Sequence, residues 1–158
     1  MDYNENPKSY FSPMHTVEHI LNGTMDQLFK KGRAFSAHIE KKKSKCDYHF
    51  DRDLTAEEIN IIEEKVNVII KLDLPVKESF MSKDEAAEIF NLNKLPDEAG
   101  NNLRVISIGD YDKCLCSGQH VNSTKEVGGS FKIISTNYEN GTLRVRFKII
   151  ALSEENNS

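Results

Sequence analysis

Two short motifs in opposite halves of the chain place the strongest constraint on its fold. The motif from His15 to His19 reads His-Thr-Val-Glu-His, and the one from Cys116 to His120 reads Cys-Ser-Gly-Gln-His. Residues four apart on a helix lie on nearly the same face, so His15 and His19 can direct two imidazoles at one ion. A glycine-containing turn could add a thiolate and a third imidazole, a set that suits zinc. The sequence therefore predicts a zinc site that joins two distant parts of the chain.

Histidines at this spacing also occur by chance on solvated helix faces. Here Ser12 is expected to cap the helix and Pro13 to occupy its first position. An apolar stripe follows, formed by Met14, Val17, Leu21, Met25 and Leu28. His15 and His19 fall beside this stripe, which favours a position lining a cleft over a place in the core.

Much of the remaining sequence alternates apolar and polar residues as β-strands do. Strands are predicted at residues 35–39, 46–50, 76–80, 103–108, 131–135 and 142–150. The first two form a hairpin, whose His38 and His49 fall on polar faces and are expected at the surface. Asn140-Gly141 favours a tight turn between the last two strands. The strand that ends at residue 108 is expected to lead directly into the Cys116 turn.

Two capping boxes, Thr55 with Glu58 and Ser82 with Glu85, indicate further helices. The first helix has a core stripe of Ile59, Ile62, Val66, Ile69 and Ile70, and the second is short and continues through Ala86, Ala87, Ile89 and Phe90. Residues 91–102 are expected to form a loop. Hairpins interspersed with helices predict an α+β fold with two layers, in which helices pack on one face of a mainly antiparallel sheet.

Length and composition indicate one domain over residues 12–152, with flexible tails at 1–11 and 153–158. The chain is 38% apolar and 29% charged, and no apolar run approaches the ~20 residues of a membrane span. Its first residues lack the apolar segment of a secretory signal. The three cysteines are too few and odd in number for a disulfide framework. We therefore expect a reducing compartment, the cytoplasm, and no membrane partner.

A net charge of −4 requires any nucleic acid to be bound by local basic patches. One candidate is the run of Lys41, Lys42, Lys43 and Lys45, although lysines at a hairpin tip are commonly just solvated. The second candidate is more structured. Strand alternation places Arg144, Arg146 and Lys148 together on the face opposite the core, and these three residues are the predicted nucleic-acid contacts.

The order and spacing of several motifs resemble the editing domain shared by threonyl- and alanyl-tRNA synthetases, which also exists as freestanding AlaX-type editing proteins. The similar segments are 15–21, 50–58, 73–76, 82–88, 105–110, 116–121 and 127–134, which are spread over most of the chain's length. The chain is too short to hold an aminoacylation domain as well. It contains no glycine-rich phosphate loop, so no use of ATP is expected.

The resemblance implies a site and a reaction. The family's metal-site pattern falls on His15, His19, Cys116 and His120. The implied reaction is hydrolysis, in trans, of the ester that joins a wrong amino acid to tRNA: serine or glycine on tRNA(Ala), or serine on tRNA(Thr). A zinc ion could activate water if one coordination position is open. In relatives that work without a metal, His15 or His19 would be the general base.

The chain departs from the family pattern beside these ligands. Ser117 and Gln119 replace the usual neighbours of Gly118, and Cys114 stands where relatives carry an acid. We expect Cys114 and Gln119 to lie next to the ligands and to influence them indirectly. The departures keep two other functions open: a tRNA-binding or structural-zinc module without activity, and a small metallohydrolase that acts on another aminoacyl ester. The sequence does not define the oligomeric state.

Overall fold

The computed structural model of the chain describes residues 12–90, 101–116 and 118–151, which contain both helices and strands. The α-helices in these ranges are α1 (Ser12–Phe29), α2 (Ala56–Lys71) and α3 (Lys83–Ala87), and Thr124–Val127 forms a 3₁₀ helix. The strands are β1 (Ser36–His38), β2 (Ser44–His49), β3 (Val76–Met81), β4 (Leu103–Ile108), β5 (Asp112–Leu115), β6 (Gly129–Glu139) and β7 (Thr142–Ala151). None of the helices in this described part is long and apolar enough to span a bilayer.

The larger sheet has the strand order β1-β2-β7-β6, and all its neighbours are antiparallel. Its longest hairpin joins β6 to β7 through Asn140 and Gly141, whose φ angles are 51° and 82°. Both residues have the left-handed conformation that a tight hairpin turn requires, so the predicted turn is confirmed. On β7, Leu143, Val145 and Phe147 are buried against the core, as the alternation predicted.

The smaller sheet has the order β3-β4-β5 and is also antiparallel. Strand β4 lies in the middle and is almost entirely buried. Ala86 of α3 packs on Leu103 of this strand and forms a small second cluster. The α+β class is confirmed, and the strands are divided between two sheets rather than joined in one.

Helix α1 contacts α2, the 3₁₀ helix and strand β5 of the smaller sheet. Four residues of its predicted stripe, Met14, Val17, Leu21 and Met25, are at most 1% exposed. Helix α2 also follows its prediction. Its capping box at Thr55 and Glu58 is present, and its apolar side packs into the main cluster.

The expectation that β4 leads directly into the Cys116 turn is wrong. Residues 109–111 form a tight turn in which Tyr111 N–H donates to the Ile108 carbonyl, and β5 then pairs back on β4. The short Asp-Lys-Cys-Leu sequence of β5 has no apolar alternation. It forms a strand through its pairing with β4, which the local sequence does not indicate. This hairpin sets the position from which the second metal-site motif begins.

Smaller differences concern helix ends. Helix α1 already includes Ser12, which was expected as its cap. Helix α3 keeps its capping box but ends at Ala87, and Ile89 beyond it is 57% exposed. The expected flexible tails and most of the expected loop at 91–102 lie outside the described residues.

Candidate metal centre

Helix α1 presents the first two histidines of the site toward the interior. His15 and His19 are 4% and 3% exposed, and their ring centroids lie 5.1 Å apart. This arrangement follows from their spacing of four residues, which stacks side chains on successive helical turns. The flank of the apolar stripe thus borders a buried polar site rather than a solvated face.

The second pair follows β5 in a turn that Arg104 of β4 holds from behind. The Arg104 guanidinium donates to the carbonyl oxygens of Cys116 and Gly118 at 2.8 and 2.7 Å. Its Nε also donates to the carboxylate of Glu78 on β3. Because one rigid guanidinium binds two carbonyls, it fixes the path of the backbone that carries Cys116.

Gly118 lies directly against the ring of His15. A Cβ atom at this position would collide with the Cε1 and Nδ1 atoms of that ring. The Gly118 N–H also donates to Cys116 Sγ at 3.3 Å. A residue without a side chain therefore allows the turn to approach α1 closely enough to complete the site.

Four side chains converge at this contact: His15, His19, Cys116 and His120. One potential ligand atom from each lies within 4.8 Å of the other three. Cys116 Sγ is 3.5 Å from His15 Nε2 and 3.4 Å from His120 Nε2. Nitrogen and sulfur donors around a tetrahedral ion bonded at zinc-like lengths lie about 3.3–3.6 Å apart. The cluster thus has the composition and spacing to bind a metal ion.

The outer nitrogen of each imidazole faces an oxygen atom. His15 Nδ1 lies 3.3 Å from the Gln119 carbonyl oxygen, and His120 Nδ1 lies 3.0 Å from the Thr16 hydroxyl. His19 Nδ1 is buried without a hydrogen bond and lies 3.8 Å from a carboxylate oxygen of Asp112. Metal-binding histidines are oriented by such partners, which leave the other ring nitrogen for the ion. This pattern fits a metal site better than a set of core histidines.

Asp112 is held in this position by Arg33. Two hydrogen bonds, of 2.6 and 3.1 Å, join the guanidinium to the carboxylate. Gly23 on α1 gives the Asp112 side chain room, since a Cβ there would lie 3.1 Å from its Oδ1. The pair therefore places a carboxylate beside His19 in a fixed orientation.

Burial controls protonation at the site. Desolvation lowers the pKa of His120 to about 3, with the neighbouring His15 as a further cause, and it lowers the pKa of His19 as well. Both imidazoles are neutral near pH 7 and can act as ligands. Burial raises the pKa of Cys116 to about 12, so the thiol keeps its proton until an ion favours the thiolate.

Cys114 and Gln119 lie beside the ligand cluster and not in it. The Cys114 thiol donates to the Leu115 carbonyl at 3.2 Å, and burial raises its pKa to about 11. Gln119 contributes its backbone oxygen to His15, whereas the residue itself is exposed. Their roles next to the ligands remain predictions.

The outer face of β7 carries the three predicted nucleic-acid contacts. Arg144 forms two hydrogen bonds with Asp47 of β2, which neutralises its charge locally. Arg146 is opposite Lys45 of β2, and Lys148 is opposite Lys132 of β6. The basic character of this face therefore extends across three strands and depends mainly on Arg146, Lys148 and their neighbours.

Sequence reasoning missed several residues that support the cluster: Thr16, Glu18, Arg33, Arg104 and Asp112. Thr16 and Glu18 lie inside the first motif, and their helical positions beside the histidines could have indicated them. Asp112 belongs to the unpredicted strand β5, so its distance from His19 could not be inferred. Arg33 and Arg104 act through tertiary contacts that leave no local sequence pattern.

Comparisons with known proteins show which protein family this chain resembles. Residues 103–145 match the family model described as the threonyl and alanyl tRNA synthetase second additional domain. An alanine–tRNA ligase of Mycoplasma pneumoniae is 32% identical over 146 residues, which cover 89% of this chain and 16% of that protein. An alanine–tRNA ligase of Mycoplasmoides gallisepticum is 30% identical over 158 residues, which cover 96% of this chain and 17% of that protein.

A third relative, an alanine–tRNA ligase of Leptospira biflexa, is 33% identical over 72% of this chain. The matched parts are between 12% and 17% of these three relatives' lengths. The fold and the site together define the class of protein: an α+β domain with a buried cluster of histidine and cysteine side chains. The chain is an editing-domain-like protein, related to the second additional domain of threonyl- and alanyl-tRNA synthetases.

Proposed function

We propose that the protein hydrolyses, in trans, the ester bond of a mischarged aminoacyl-tRNA with the help of a zinc ion. The substrates would be serine or glycine on tRNA(Ala), or serine on tRNA(Thr), and the activity would lie in the cytoplasm. The observation that carries the proposal is the convergence of His15, His19, Cys116 and His120 within 4.8 Å in an editing-domain-like chain.

These four residues would hold the ion. When bound, zinc would polarise the ester carbonyl and lower the pKa of a water molecule. The Thr16 hydroxyl, the Gln119 carbonyl and Asp112 would keep the three imidazoles in a ligating orientation. Burial of the cluster would keep bulk water from competing for the donors.

His15 and His19 are also the candidates for direct catalysis without a metal. A general base works best when its pKa is near the working pH. Burial and the nearby His120 and Arg33 lower the pKa of His19 well below its usual value, which makes it a weak base. This shift favours a metal-assisted reaction, in which neutral imidazoles act as ligands.

A structural metal site is the second candidate function. Cys116 already lies at ligand-to-ligand distances from two imidazoles, and three of the four residues are buried. A closed tetrahedron of four protein ligands leaves no coordination position for water or substrate. In that case the domain would bind tRNA and hydrolyse nothing.

Ester hydrolysis can be measured directly with the zinc-loaded protein. Ser-tRNA(Ala), Gly-tRNA(Ala) and Ser-tRNA(Thr), each labelled on the amino acid, are incubated with wild-type protein and with the Cys116→Ser variant. We expect loss of label from at least one substrate with the wild type and a sharp reduction with the variant.

The other outcomes separate the alternatives. Binding of charged tRNA without turnover selects the structural-zinc module. Turnover of small aminoacyl esters alone selects a metallohydrolase that does not act on tRNA. Equal hydrolysis by the wild type and Cys116→Ser would contradict the role proposed for the cluster.

A further inference from the structure

Glu18 is a largely buried acid beside the metal site, and its burial is not explained by the four residues that would bind the ion. It lies on α1 between the two histidines, and its Oε1 is 3.4 Å from His15 Nε2. Its side chain is only 13% exposed. Long acidic side chains are rarely buried to this extent without a charged partner.

The arginines near Glu18 already form hydrogen bonds with other groups. Arg33 forms two hydrogen bonds with Asp112, and Arg104 binds Glu78 and two carbonyl oxygens of the turn. Among the described residues, no lysine or arginine forms an ion pair with Glu18 itself. An acid without a direct cationic partner thus borders a site in which His19 and His120 are neutral. A cation that binds beside this acid would gain a direct charged partner in it.

Glu18 is not one of the four residues whose ligand atoms lie within 4.8 Å of one another. Within the described residues, its carboxyl group contacts the cluster at His15. The Gln119 carbonyl beside His15 Nδ1 favours the tautomer with the proton on Nδ1, which leaves Nε2, the nitrogen that faces Cys116 Sγ and lies near Glu18, for the ion. The carboxyl group therefore lies next to the ion's position and is free to contact a group that enters beside the ion.

We propose that Glu18 binds the α-ammonium group of the aminoacyl ester and thereby selects substrates with a free amino group. The inference rests on the proposed function. In an aminoacyl ester, the α-ammonium is attached one carbon away from the carbonyl that the ion would polarise. A carbonyl at the metal thus places the substrate's positive charge near Glu18, whose carboxylate can accept its hydrogen bonds.

This assignment gives the site an acid on α1, whereas β5 contributes the thiol of Cys114 nearby. Glu18 and Cys114 are close enough for the carboxylate to influence the thiol electrostatically. The two positions therefore border the same region from opposite elements, α1 and β5.

Binding of two non-hydrolysable analogues tests the assignment without depending on turnover. One is adenosine that carries serine through a 3′-amide, and the other is the same compound without the α-amino group. Calorimetry measures both with the zinc-loaded wild type, with Glu18→Gln and with Glu18→Asp. Glu64→Gln, an exposed acid on α2, is the control for the removal of one negative charge. Zinc content is measured for each protein.

We expect the wild type and Glu64→Gln to bind the amine about 10–100-fold more tightly than the analogue without it, as for a charged hydrogen bond. Glu18→Gln should lose this preference and keep its zinc, and Glu18→Asp should retain part of it. Equal binding of both analogues by the wild type would overturn the assignment while leaving ester hydrolysis standing. A Glu18→Gln variant that loses both analogues alike, or loses zinc, would also overturn it. If neither analogue binds and no tRNA ester is hydrolysed, the proposed function itself fails.

Discussion

Cys114 and Cys116 are two residues apart and have different environments. Cys116 Sγ lies between two imidazoles, whereas the Cys114 thiol donates to the carbonyl of its neighbour Leu115. Both thiols have a raised pKa because they are buried, so acidity does not distinguish them. Membership of the ligand cluster does, since among the described residues Cys116 belongs to it and Cys114 does not.

Substitution of the two cysteines should separate these environments. We expect Cys116→Ser to lose stoichiometric zinc, because a hydroxyl is a poor replacement for a thiolate ligand. Cys114→Ser should keep its zinc and change ester hydrolysis only modestly. Zinc is measured by elemental analysis after gel filtration. Loss from Cys114→Ser with retention by Cys116→Ser would mean that the ligand has been assigned to the wrong cysteine.

Gly118 offers a second test at the scale of one residue. In Gly118→Ala the new methyl group would collide with the His15 ring and push the turn away from α1. We expect zinc affinity to fall about 10–100-fold, as for other substitutions that disturb the surroundings of a ligand. Ser79→Ala, at an exposed position of β3, is the control. Equal zinc affinities of the two variants would contradict the close approach of the turn to α1.

At the scale of elements, the outer face of β7 combines neutralised and unpaired charges. Arg144 is bound to Asp47, and this hydrogen bond lowers the pKa of the carboxyl group. Arg146 lies opposite Lys45, and Lys148 lies opposite Lys132, which forms an ion pair with Glu63. Like charges across a sheet, such as Arg146 and Lys45, are unfavourable unless an anion lies over them, which makes this part of the face suited to phosphate.

Replacement of Arg144, Arg146 and Lys148 by alanine should weaken tRNA binding for all sequences. The slope of log K against log salt should fall by roughly 0.7–0.9 for each phosphate that is no longer neutralised. Because Arg144 is neutralised by Asp47, the Arg146→Ala/Lys148→Ala double variant should account for most of the change. The control is the Lys65→Ala/Lys77→Ala double variant, whose two lysines are exposed on α2 and β3. An unchanged salt slope would show that the face is only solvated.

The capping box of α2 makes stability depend on pH. Hydrogen bonds from Arg52 and from the Thr55 backbone lower the pKa of Glu58 from 4.5 to about 2. A carboxyl whose pKa is lower in the folded state stabilises the fold above its unfolded pKa. That contribution disappears as the pH falls from about 4.5 toward 2.

Glu58→Gln should therefore be less stable than the wild type at pH 7, and the difference should narrow below pH 4.5. Urea denaturation at several pH values measures this, with Glu64→Gln as the control acid. Replacement of the cap in Thr55→Ala should cost about 0.5–2 kcal/mol at any of these pH values. A wild-type advantage over Glu58→Gln that does not change with pH would contradict the contribution of the ionised carboxylate.

At the scale of the whole molecule, local patterns predicted most of the fold and the four ligand candidates. Both capping boxes, the Asn140-Gly141 turn and the stripe of α1 depend on residues that are neighbours in sequence, so their signals are visible before folding. Strand β5 depends on its pairing with β4, and Arg104 and Asp112 act across elements. Such interactions exist only in the folded chain, so no local sequence pattern predicts them.

The two halves of the metal centre also differ in when they are made. Synthesis proceeds from the N-terminus, so His15 and His19 emerge before the smaller sheet and the turn that carries Cys116 and His120 exist. Two imidazoles on an isolated helix bind an ion only weakly, and most of a helix's stability in a protein comes from tertiary packing. Firm binding of a metal ion would therefore await the β4–β5 hairpin, and loading would be a late event in the maturation of the nascent chain.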